Sequence, residues 1–133
     1  MKKYTVYLSA IVLLLLFLAS CKPAIKPEDL YGKWKYIKIE MPTAPQDTIL
    51  VKSYLVEPTC IQFSKDSTVE IGTPALATFH GSFTIDKYNI NVSGHYNDGS
   101  ATKLLFWVMK LTNKEIVFKI LGERPWVVTA IKQ

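Results

Sequence analysis

Two thiols, two imidazoles and eleven carboxylates are the groups in this 133-residue chain with reactive potential, and their spacing brings few of them together. His80 and His95 fall on different predicted strands, both at outward positions. No Cys, His or carboxylate cluster has the spacing of a metal site, so neither a metal nor another cofactor is expected. Glu28 and Asp29 lie in a proline-bearing tether, and Asp66, Asp86 and Asp98 read as turn residues, as Asp commonly is. That leaves no carboxylate pair for acid–base work. With no Gly-x-Ser-x-Gly and no phosphate loop either, the pattern argues against an enzyme.

Cys21 has a different setting. Met1-Lys2-Lys3-Tyr4 carry two positive charges ahead of Val6 to Leu18, an apolar run interrupted by Ser9, and the run closes in Leu18-Ala19-Ser20-Cys21. It is shorter than the roughly 20 residues of a comfortable membrane span and has the shape of a secretory signal. Leu-Ala-Ser-Cys resembles the lipobox of bacterial lipoproteins. That resemblance implies a signal peptide over 1–20, cleavage before Cys21, diacylglycerol on its thiol and a fatty acyl group such as palmitate on its amine. Several acyl chains make a durable membrane anchor. Lys22 after that cysteine leans towards an outer-membrane location facing the periplasm.

Removing residues 1–20 takes away Lys2 and Lys3 and no acid, so Lys+Arg falls from 16 to 14 against 11 Asp+Glu, a net charge of +3. The charges are scattered singly rather than in a stripe interleaved with aromatics, which argues against a nucleic-acid partner. With Cys21 modified no internal disulfide can form, and Cys60 reads as a small buried side chain. Residues 21–30, with two prolines among charges, suit an extended tether, and residues 31–133 are one domain in length.

No amphipathic helix is evident in that domain. Alternating β-branched and aromatic residues, punctuated by turn chemistry, predict strands over 31–40, 59–64, 68–72, 79–85, 88–96, 101–111, 114–121 and 126–132. Hairpin loops set the facing. A three-residue turn at Lys65-Asp66-Ser67 sets Phe63 against Val69 and Ile61 against Ile71. A turn at Asp86-Lys87 sets Phe83 against Ile90, and a type I′ turn at Asp98-Gly99 sets Ile90 against Trp107 and Tyr88 against Met109. A turn at Thr112-Asn113 sets Trp107 against Phe118. The facing of 126–132 stays open between Trp126 with Val128 and Val127 with Ile131. Trp34 and Tyr36 against Ile37 and Ile39 imply a bulge in the first strand.

Eight strands joined mostly by short turns predict an all-β fold, an antiparallel up-and-down meander closed into a barrel. Its three tight turns share one end. The 41–58 and 72–78 connections share the other, which is the expected mouth, with the tether at the floor. Gly32-Lys33-Trp34, opening the first strand of such a meander, resembles the lipocalins, specifically the lipocalin-like domains of bacterial (Bacteroidetes-type) lipoproteins. The resemblance implies a floor sealed by Trp34, a mouth partly covered by the first loop, and ligand binding inside. Arg124 falls at the mouth, so it does not match the family's arginine that packs on the tryptophan.

In these registers Phe63, Phe83, Tyr88, Ile90, Trp107, Met109 and Phe118 line the interior, a wall suited to a small hydrophobic or amphiphilic ligand. Tyr96, Lys103 and Arg124 near the mouth would hold its carboxylate or phosphate head. Leu104, Phe106 and Val108 would form an outer apolar stripe, the surface for an envelope protein partner or scaffold role. Ser93-Gly94-His95-Tyr96 resembles, one residue short, the Ser-Gly-x-x-Tyr loop of membrane-bound lysozyme inhibitors, which would make the barrel an inhibitor instead.

Overall fold

A computed structural model of the chain describes residues 2–18, 22–41, 49–50, 59–73, 77–123 and 125–133. Cys21 and Arg124 lie outside the described residues, as does most of the 41–58 connection. The apolar N-terminal run forms helix α1, Lys2–Leu18, and no described helix is long and apolar enough to cross a membrane. A single-turn helix α2, Pro27–Leu30, precedes the strands, with proline in its first turn where a missing N–H costs nothing.

The strands are β1 (Gly32–Glu40), β2 (Ile49–Leu50), β3 (Cys60–Phe63), β4 (Thr68–Gly72), β5 (Ala77–Asp86), β6 (Asn89–Tyr96), β7 (Ala101–Leu111), β8 (Glu115–Leu121) and β9 (Trp126–Lys132). From β3 onward each pairs antiparallel with the next, β1 pairs with β3, and β1 and β9 close the ring. Eight of them make the barrel. The two-residue β2, which the sequence pattern does not mark, pairs with Lys38 and Ile39 on the mouth half of β1.

The β3–β4 hairpin has the expected register, with Phe63 opposite Val69 and Ile61 opposite Ile71. Ser67, at φ 66, closes its three-residue loop. Tyr36 and Lys38 flank the expected bulge in β1, so Trp34 and Tyr36 are buried and Ile39 still packs on the core. The β8–β9 pairing puts Phe118 opposite Val128 and Ile116 opposite Ala130, which settles the open facing in favour of Val128 and Ala130.

The β5–β6 turn is centred on Lys87-Tyr88, one residue later than expected, so Ile85 meets Ile90 and Phe83 meets Val92. Partners shift by two and the inward set keeps its side, except that Tyr88 becomes a turn residue. At Gly81 and Gly94 the two strands approach so closely that a Cβ on Gly94 would sit 2.1 Å from the His80 carbonyl oxygen. Only glycine fits such an approach.

β7 corrects the sequence reading. Asp98-Gly99 is not a two-residue turn. The Gly99 amide donates to the Tyr96 carbonyl (2.9 Å) and the Tyr96 amide to the Ser100 carbonyl (3.0 Å), enclosing a three-residue loop that ends on Gly99 at φ 86. This is the type I turn with a left-handed third residue. Ser100 N–H and Oγ–H both donate to Asp98 Oδ1, at 2.8 and 2.6 Å.

The extra loop residue sets Ile90 opposite Phe106 and Val92 opposite Leu104. Phe106 and Val108 are therefore fully buried, and Leu104 packs on the core. The expected outer stripe of Leu104, Phe106 and Val108 is an inner one. Trp107 and Met109, each 43% exposed, stand on the outer wall, and so does Lys103, opposite Ser93. The β7–β8 turn is centred on Asn113-Lys114, one residue later than the expected Thr112-Asn113, so Leu111 meets Ile116, and a bulge between Val108 and Lys110 then brings Val108 opposite Phe118.

Candidate binding site

The barrel's two ends are built from different materials. At the floor, Leu30 from α2 is fully buried, and its carbonyl accepts the Trp34 indole N–H at 2.8 Å. Lys132 passes over Gly32 and sets its ammonium 5.1 Å from the Trp34 ring centre. A cation thus stands on the floor tryptophan, supplied by the last strand. Above it the rings touch each other, Phe63 and Phe83 edge-on at 5.0 Å and Phe106 and Phe118 at 4.8 Å.

Residues 22–30 are docked rather than extended. Lys22 Nζ donates to the carbonyls of Val108 (3.0 Å) and Met109 (2.7 Å) at the β7 bulge, and the Tyr88 hydroxyl donates to the Lys22 carbonyl. The Ile25 amide donates to the Lys87 carbonyl at 2.9 Å. These bonds explain why Tyr88, read as a wall of the interior, instead faces the N-terminal segment. A cleft of about 150 Å³ lies between that segment and the floor, lined by Pro23, Ile25, Tyr88, Val108 and Leu111 among others.

Towards the mouth the inward positions are Tyr36, Phe79, Tyr96, Leu104, Ile120 and Trp126. Phe79 is buried and meets Tyr96 edge-on at 5.4 Å, while Tyr96 and Trp126 remain 40% and 37% exposed. Burial raises the Tyr36 phenol's pKa, with Cys60 and Tyr96 adding to it, so Tyr36 is a neutral donor or acceptor. Burial likewise raises the Cys60 thiol's pKa, opposed by Lys33 and Lys35.

The structure thus separates the residues singled out from sequence. Phe63, Phe83, Ile90 and Phe118 do face inward, but as mutually packed core. Tyr96 has inward parity at the rim, whereas Trp107, Met109 and Lys103 face out. Phe79 and Tyr36 were accessible from strand parity alone, and Trp126 and Lys132 needed the β8–β9 register. His80 and His95 neighbour each other on the outer wall, where His80 Nδ1 lies 3.2 Å from Glu70 Oε1, and no group of metal-binding side chains occurs among the described residues. Ser93-Gly94-His95-Tyr96 is part of β6 and not a loop.

No family model and no curated protein matches the sequence. Among solved structures, the chain resembles a lipocalin-like protein from Bacteroides uniformis, at 17% identity over 79% of this chain and 99% of that one, with a TM-score of 0.58. A closed eight-stranded antiparallel barrel, with a tryptophan in its floor and its long connections at the other end, is a lipocalin-like fold.

Proposed function

We propose that the protein is a non-catalytic, lipid-anchored binding protein of the cell envelope that takes a small amphiphile at the mouth of its barrel. One observation carries the binding half. The inward rings of Trp34, Tyr36, Phe63, Phe79, Phe83, Phe106 and Phe118 are all buried, whereas Tyr96 and Trp126, of the same facing at the mouth, keep more than a third of their surface open. Apolar rings left exposed at the mouth suit the body of an amphiphile, with the neutral Tyr36 phenol below as an uncharged contact. The anchoring half is supported by the apolar run ending in Leu-Ala-Ser-Cys.

The test is native mass spectrometry on residues 22–133 purified from envelope extract, alongside the Tyr96→Ala, Trp126→Ala double variant. A small bound mass retained by the parent and lost from the variant is the expected result. A clean apo mass that takes up no added fatty acid or other amphiphile would refute binding at the mouth.

A further inference from the structure

We infer that the floor of the barrel is a membrane-seating surface that holds the domain flat against an anionic bilayer, mouth outward. This rests on the reading of Cys21 as the lipidated residue and goes beyond it, because an anchor alone allows the domain to swing. The sequence-level picture of a ten-residue tether would permit that motion. The structure removes it.

Lys22 is pinned by its ammonium to two β7 carbonyls and by its own carbonyl to Tyr88, and Ile25 is bonded to Lys87. The slack between lipid and folded domain is then the single residue Cys21, which spans about 3.5 Å. The floor must lie at the head-group layer.

What the floor presents there fits that layer. Each of its three turns carries an exposed lysine, Lys65, Lys87 and Lys114, and Lys26 is exposed beside them. Counting side chains at this end, Lys22, Lys26, Lys65, Lys87, Lys110, Lys114 and Lys132 outnumber Glu28, Asp29, Asp66, Asp86 and Glu115 by two; Asp66, which accepts from Thr68, keeps its charge, and Glu115 pairs with Lys110 at 2.6 Å. A lysine near an anionic leaflet strengthens attachment roughly fivefold. On the outer wall of β7, Trp107 and Met109 are exposed at the floor end, Trp107 opposite Asn89 next to the Lys87-Tyr88 turn. Tryptophan at that height is the side chain that partitions into the membrane–water interface. At the mouth the charges of Glu40, Asp98 and Glu123 face Lys38 and Lys103, with no basic excess among the described residues.

The experiment uses the full chain, matured in cells and reconstituted in vesicles of phosphatidylcholine with phosphatidylglycerol. A fluorophore is placed at Lys65→Cys on the floor or Glu123→Cys at the mouth, and nitroxide-labelled lipid is the quencher. Intact mass first establishes whether Cys21 carries a diacylglyceryl group. The expected result is quenching several-fold stronger at the floor than at the mouth, increasing with phosphatidylglycerol content. It should be lost in a Lys87→Glu, Lys114→Glu, Trp107→Ser variant whose acyl mass and unfolding midpoint are unchanged. Equal quenching at both ends on an acylated chain would overturn the seating and leave the anchor standing. A chain without the acyl mass would overturn both.

Discussion

The floor and the mouth of this barrel are made by the same eight strands, yet side chains close one end and leave inward rings exposed at the other. At the floor three short turns, a one-turn helix and a docked N-terminal segment converge on Trp34, whose ring and N–H are both engaged. At the mouth the same inward faces end in Tyr96 and Trp126 with open surface. The difference teaches that interior position is not enough to make a binding residue. Among the described residues most inward rings are spent on packing against each other, and those at the mouth are the ones a ligand would reach.

The strongest way to break that contrast is at the floor. Trp34→Ala should cost about 4 kcal/mol of stability in urea unfolding, because a fully buried indole is replaced by a cavity. A cost near that of an exposed residue would mean the floor is not sealed by Trp34. Next comes the phase of β7. Phe106→Ala should lose about 3 kcal/mol, whereas Trp107→Ala, next along the chain but 43% exposed, should lose under about 1 kcal/mol. The reverse order would restore the two-residue turn at Asp98-Gly99 and put Trp107 inside.

Alkaline pH sharpens the mouth side. The folded Tyr36 pKa lies above its ordinary value near 10, so its contribution to stability is complete below that pH. It should decline as pH rises beyond 10, where the unfolded chain ionises first. Tyr36→Phe should flatten that part of the stability–pH curve, and an unchanged slope would mean another group sets it. The smallest effect concerns the cation over the floor tryptophan. Lys132→Met keeps most of the side-chain length and should cost about 0.5–1 kcal/mol, read as a small drop in unfolding midpoint. A neutral outcome would show that the ammonium is already solvated enough to contribute nothing.

Much of the fold was legible from residue pattern. Val69 and Glu70 on alternate faces, or Phe118 between Val117 and Lys119, show the period-two contrast that identifies a strand and its buried side. Lys65-Asp66-Ser67 closed its hairpin as read because a pair of apolar strands with one polar face tolerates a single register. β7 was different. Thr102-Lys103-Leu104-Leu105-Phe106-Trp107-Val108-Met109 is apolar on both faces, so hydrophobic pattern could not choose its phase. Its two flanking errors also cancelled, one at the Gly99 loop and one at the Met109 bulge, leaving β6 and β8 correctly faced and only the strand between them inverted. The candidate site suffered accordingly. Trp107, Met109 and Lys103 moved outside, and Trp126 entered only through its pairing with Ile120.

The amino-acid sequence by itself determined the eight barrel strands, their order, the bulge in β1 and the concentration of short turns at one end, because alternation and turn residues are local signals. The tertiary structure alone decided the phase of β7 and the docking of residues 22–30 beneath the floor. Both depend on closure of the barrel, which fixes where an extra backbone residue must bulge and which carbonyls are left for Lys22 to bind.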